Sequence, residues 1–178
     1  MADPHRVAIL GASGGGYAAL RGVTTTPDLY SCAVDIYGPS DIKTPFGSMT
    51  TWWHASKPRW IRRVGDVEHD EEWNRRISPL YDADKAKVPV LVEQRQNDPR
   101  VSEKNSALMV AAMRAKNIPV TYVVYPDEGH GFYRPENWID SIARIDEFLK
   151  KYLGGRRSLG SRQPARVPSC ADPGNLWI

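Results

Sequence analysis

Near its N-terminus the chain reads Gly11-Ala12-Ser13-Gly14-Gly15, a G-x-S-x-G run between a β-rich stretch at residues 6–10 (RVAIL) and small residues at 16–20 that open a helical pattern. A strand that becomes a helix within one or two residues leaves no room for bulky side chains, which accounts for the glycines and the alanine. The same turn lifts the serine above the sheet edge and aims the N–H of Gly14, at the helix N-terminus, towards the same spot. Taken alone, the run also fits a glycine-rich turn or a phosphate cradle of the dinucleotide type. A P-loop is excluded because no G-K-[ST] follows, and Gly11, Ser13 and Gly16 do not give G-x-G-x-x-G.

Three further β-rich runs follow, at residues 32–37, 88–94 and 120–125. Between the last two, Leu108, Met109, Ala112 and Met113 recur at helical spacing within 103–116, and Trp138, Ile142, Ile145 and Leu149 do so within 136–153. Strands alternating with helices predict an α/β fold with a mostly parallel sheet of about four strands and flanking helices, since parallel neighbours need crossover connections. Residues 43–79, rich in Trp and charge, interrupt the alternation and read as an excursion over the sheet with a helix at 68–77. Residues 154–178 are Gly, Pro, Ser and Arg without periodicity, so the expected division is a folded body at 1–153 and a disordered tail at 154–178.

A serine hydroxyl is a weak nucleophile; it needs a histidine base, and a carboxylate to hold the imidazole in the useful tautomer. Both should follow later strands, in the order Ser, Asp, His. Asp98 follows the third run within Asn97-Asp98-Pro99-Arg100, and His130 follows the fourth within Gly129-His130-Gly131. Each alone is an ordinary turn sequence; three strand-end positions in the required order make Ser13, Asp98 and His130 the candidate catalytic set, with Gly14 as an oxyanion donor. His5, His54 and His69 lack a preceding strand and suit surface or packing roles. Asp127 with Glu128, and Asp82 with Asp84, suit loops and caps.

The chain is 41% apolar and 25% charged, a globular composition. Its net charge of +3 resides in the tail, where Arg156, Arg157, Arg162 and Arg166 outnumber Asp172. The body is therefore neutral, with no basic stripe for nucleic acid. No apolar run approaches the roughly 20 residues that cross a bilayer, and the first ten residues are too polar for a signal peptide, so a cytoplasmic setting is the default expectation. Two cysteines make neither a disulfide framework nor a metal site; Cys32, in an apolar run, is expected in the core. No metal or organic cofactor is called for.

Read together, DPHRVAILGASGGGYAAL at 3–20, YGPSDIKT at 37–44, RRVGDVEHDEEW at 62–73, SPLYDADKAKVPVLV at 78–92, NDPRV at 97–101 and YPDEGHGFYRPEN at 125–137 resemble the C-terminal part of the peptidase domain of the prolyl oligopeptidase family, in its dipeptidyl and acylaminoacyl peptidase branches. The resemblance implies part of an α/β-hydrolase fold, Ser13 as nucleophile, Asp98 as orienting acid, His130 as base, and a peptide or acyl-peptide substrate. It also makes Tyr17, Ile42, Trp53 and Val101 candidates for an apolar specificity pocket. The chain departs from the family where Glu93, Arg95 and Gln96 make the approach to Asp98 polar and bulky. It begins almost on the nucleophile strand, whereas the family has several strands and a second oxyanion donor, a tyrosine, upstream.

The expectation is thus a serine hydrolase cleaving peptide or acyl-peptide bonds. The alternatives are a carboxylesterase of the same fold and a truncated, weak or silent structural or interaction domain. The bare outer edge expected on the first strand suggests self-association or an N-terminal partner segment.

Overall fold

The computed structural model describes residues 3–47 and 55–154. Its sheet has four strands, β1 (Ala8–Ala12), β2 (Cys32–Ile36), β3 (Val90–Arg95) and β4 (Val120–Tyr125), parallel throughout and ordered β1-β2-β3-β4. Side chains alternate between its faces, as the pleat requires. Ala33, Val90 and Val92 turn to one face, where they meet Leu20 and Val23 of helix α1 (Gly14–Thr25) and Met109, Val110 and Met113 of a later helix, Glu103–Ala115. Cys32, Val34 and Leu91 turn to the other, against Phe148 of the C-terminal helix Pro135–Leu153. The buried Cys32 is a core residue, as expected. With both faces covered, β2 and β3 are apolar along their first residues. Among the described residues β1 pairs only with β2, and Leu10 on it is 50% exposed.

The excursion between β2 and β3 contains α2 (Lys43–Gly47), α3 (Lys57–Val64), α4 (Glu71–Ile77) and a 3₁₀ segment, Pro79–Lys85. Helix α4 starts three residues after the expected 68, because Asp70 caps it by accepting from the Trp73 N–H at 2.8 Å. Buried Asn74 clasps the excursion to the sheet end: its Nδ2 donates to Asp41, and its Oδ1 accepts from the Lys43 N–H at 3.0 Å and from the Ser78 hydroxyl at 3.1 Å. The two later helices become α5 (Glu103–Ala115) and α6 (Pro135–Leu153). Of the expected tail, residues from 155 onward lie outside the described residues. No helix among the described residues is long and apolar enough to cross a membrane.

α1 approaches the end of β2 closely because Gly16 faces Gly38: a Cβ on Gly16 would lie 2.8 Å from the Gly38 Cα and 2.3 Å from Asp35 Oδ1. The Asp35 carboxylate is thereby sealed in, with Oδ1 accepting from the Gly38 N–H at 2.8 Å and Oδ2 without a hydrogen-bond partner. Burial, against the pull of the Gly38 amide and with a push from Glu93, raises its carboxyl to about 8. Burial likewise raises Glu93 to about 7, although the Ser141 hydroxyl bonds it.

Acids raised in this way bind protons on folding, so their stabilising contribution is full below about pH 4 and is lost as pH climbs through 7 to 8. The unfolding temperature should therefore fall between about pH 5 and 8.5. Asp35→Asn, which keeps an acceptor for Gly38, should flatten that fall. Thermal melts by circular dichroism across the range check it, and parallel slopes for the two proteins would refute it.

Candidate active site

The run at 11–15 forms a strand–turn–helix elbow in which Gly11 is dictated by contact: a Cβ on it would lie 2.3 Å from the carbonyl of Gly15. Between Gly11 and Gly15, Ser13 adopts φ 55° and ψ −118°, a strained backbone for a residue with a side chain. It is held there from both sides. Its N–H donates to the Ile36 carbonyl of β2 at 2.9 Å, and its carbonyl accepts from the Tyr17 N–H at 3.0 Å. Gly14, the first residue of α1, is exposed, with open space where a Cβ would stand.

His130 Nε2 lies 3.1 Å from Ser13 Oγ, and its Nδ1 lies 2.7 Å from Asp98 Oδ2. The structure thus brings together Ser13, Asp98 and His130 from the ends of β1, β3 and β4. An ionised carboxylate only accepts, so Nδ1–H donates to Asp98 and leaves the Nε2 lone pair for the serine hydroxyl. Asp98 Oδ1 accepts from the amides of Arg100 at 2.8 Å and Val101 at 2.9 Å, so its two oxygens have separate tasks. Burial alone would raise this carboxyl, whose side chain is 0% exposed, but the hydrogen bonds from His130, Val101 and Arg100 outweigh it and hold it below the usual carboxylate range.

The His130 loop is fastened by Glu128, buried and accepting from the N–H groups of Tyr133 at 2.8 Å and Arg134 at 3.0 Å and from Asn137 Nδ2 at 2.9 Å. Burial raises its carboxyl, and these bonds more than reverse the effect. As adjacent loop residues Asp127 and Glu128 are expected to face solvent, but Glu128 is fully buried because its carboxylate caps the start of α6; its place two residues before the histidine was the available signal. Tyr37, Arg95 and Phe132 were not singled out as site residues. The His130 and Tyr37 rings meet at 4.9 Å and 70°, and Arg95 Cζ lies 3.8 Å from the centroids of both Tyr37 and Phe132.

Tyr17 and Ile42 share one small cluster with Val67 beside the elbow, and the Tyr17 hydroxyl donates to the Ile77 carbonyl at 3.0 Å. Val101 is 4% exposed; besides its N–H bond to Asp98, its carbonyl accepts from Gln94 Nε2 at 2.8 Å. Trp53 and His54 lie outside the described residues. His69 is exposed and lies 3.0 Å from Asp66. Among the described residues no cluster of three or more His, Cys, Asp or Glu could hold a metal ion.

The sequence is 48% identical over 153 residues to dipeptidyl aminopeptidase BIII of Pseudoxanthomonas mexicana, covering 85% of this chain and 22% of that one. It is 40% identical over 158 residues to dipeptidyl peptidase family member 6 of Caenorhabditis elegans, covering 87% and 21%. A solved puromycin-hydrolyzing peptidase of Mycobacterium tuberculosis superposes with a TM-score of 0.79 at 29% identity, covering 86% of this chain and 23% of that one. The chain spans about a fifth of the length of these curated relatives. The profile of the prolyl oligopeptidase family matches residues 1–156, and the chain belongs to that family of serine peptidases.

Proposed function

We propose that the chain carries the acyl-transfer machinery of a serine peptidase, with Ser13 as nucleophile, His130 as general base and Asp98 as the group that orients the imidazole. The observation that carries this reading is the unbroken series Ser13 Oγ, His130 Nε2, His130 Nδ1, Asp98 Oδ2, with separations of 3.1 and 2.7 Å. As Ser13 Oγ attacks a substrate carbonyl, Nε2 takes its proton; the N–H of Gly14 faces the developing oxyanion; and the imidazolium returns the proton to the leaving amine. Water then repeats the sequence to release the acyl group. Names such as dipeptidyl aminopeptidase among the relatives favour a peptide substrate. The apolar cluster of Tyr17 and Ile42 beside the elbow suits a flanking side chain, with Val101 close to it through the Asp98 loop. The outer edge of β1 is where a second copy or an upstream segment would pair, and such a partner could bring a second oxyanion donor.

A fluorophosphonate probe applied to the full chain, with the labelled residue located by mass spectrometry, should mark Ser13. Ser13→Ala should abolish labelling without altering circular dichroism, and labelling that persists elsewhere at the same rate would overturn the assignment. Asp98→Asn should reduce turnover on the order of 10⁴-fold by fixing the wrong tautomer; a negligible effect would remove Asp98 from the set. Paired rates on a dipeptidyl p-nitroanilide and a p-nitrophenyl ester separate peptidase from esterase.

A further inference from the structure

Arg95 ends β3 beneath the histidine and is 1% exposed, yet its Nε and Nη1 have no hydrogen-bond partner. Guanidinium stays protonated in proteins. A buried cation without these hydrogen bonds is costly. Packing therefore does not explain it. Its guanidinium is within electrostatic reach of the Glu93, Asp98 and Glu128 carboxylates, and it makes two ring contacts, at 3.8 Å to Tyr37 and 3.8 Å to Phe132. Tyr37 flanks the His130 imidazole and has a left-handed backbone, φ 46°. Phe132 follows His130 by two residues, across Gly131 at φ 138°, and its ring also meets Tyr125 and Trp138 edge-on at 5.1 and 5.4 Å.

From this column of rings we infer that Arg95 is a positioning residue for His130: one planar cation fixes both the ring beside the imidazole and the loop that carries it. The proposal rests on the reading of His130 as general base. Tyr37 follows β2 directly, where its N–H donates to the Glu93 carbonyl at 2.7 Å, and Glu128 fastens the loop of His130, but these bonds hold backbone and leave the two rings to be restrained. The guanidinium supplies that restraint through its faces, which a lysine ammonium does not have.

The test compares the full chain with Arg95→Met and Arg95→Lys, each well below its own unfolding temperature. In the wild type, proton NMR should show a low-field resonance from the His130 Nδ1–H bonded to Asp98. In both variants it should broaden or vanish, and fluorophosphonate labelling of Ser13 should slow about 10²-fold, the scale set by misplacing a reacting group by about 1 Å. The unfolding temperature of each variant is measured alongside, and because both readouts are taken on folded protein, a loss of stability alone leaves them unchanged, which separates positioning from stabilisation. If Arg95→Met fails to fold, Arg95→Lys carries the comparison. A wild-type chain without the resonance, or a folded variant that keeps both resonance and labelling rate, overturns the inference. A wild-type Ser13 inert to the probe would instead sink the proposed chemistry, while the resonance would still decide the role of Arg95.

Discussion

The near-contact of Gly11 with the Gly15 carbonyl sets the geometry on which the site depends. It lets β1 become α1 with Ser13 as the sole hinge, and the cost is a backbone at φ 55° that a side-chain-bearing residue adopts only when its surroundings impose it. The imposing bond comes from outside the elbow: the Ile36 carbonyl of β2 receives the Ser13 N–H. Sheet pairing and hinge conformation therefore form together. Because every strand is parallel, β3 and β4 finish on the same rim, and the loops that leave them need travel only a few residues to bring Asp98 and His130 to the serine.

That rim is where the interior changes character. The first residues of β2 and β3 are apolar, but towards their ends come Asp35 on β2 and Glu93, Gln94 and Arg95 on β3, all buried. Gln94 has a clear task, donating to the Val101 carbonyl and accepting from the Ser106 hydroxyl, which ties the Asp98 loop to α5. Glu93 reaches the opposite layer through Ser141 of α6. One strand end thus secures helices on both faces of the sheet. Polar groups placed here give up some stability in return for a fixed arrangement, a departure from ordinary core rules that occurs where function demands it.

The parts of the site legible in the sequence were those written in backbone requirements. Small residues around Ser13, a turn after the third run and a Gly-His-Gly loop after the fourth each reflect local conformation, and local conformation leaves a local pattern. β4 lies at the expected 120–125, whereas β1 lies at Ala8–Ala12 rather than 6–10, because its register is set by Cys32–Ile36, a partner that no local pattern reveals. The contacts of Tyr37, Arg95 and Phe132 were hidden for the same reason. A cation between rings drawn from three separate loops and strand ends has no spacing rule, and Arg95 read in sequence only as an oddly polar strand end.

Glu128 carries a consequence of another kind. Its carboxylate gathers the amides of Tyr133 and Arg134 and the side chain of Asn137, so it closes a short ring of chain around His130. Two of those three bonds go to backbone, which is indifferent to the identity of residues 133 and 134 but not to their distance from Glu128. Evolution can exchange the side chains of residues 133 and 134 freely, while inserting or deleting a single residue would move the imidazole and the start of α6 out of step. The loop is fixed in length and open in composition at those two positions, so divergence among descendants of this sequence should accumulate there as substitutions and never as gaps.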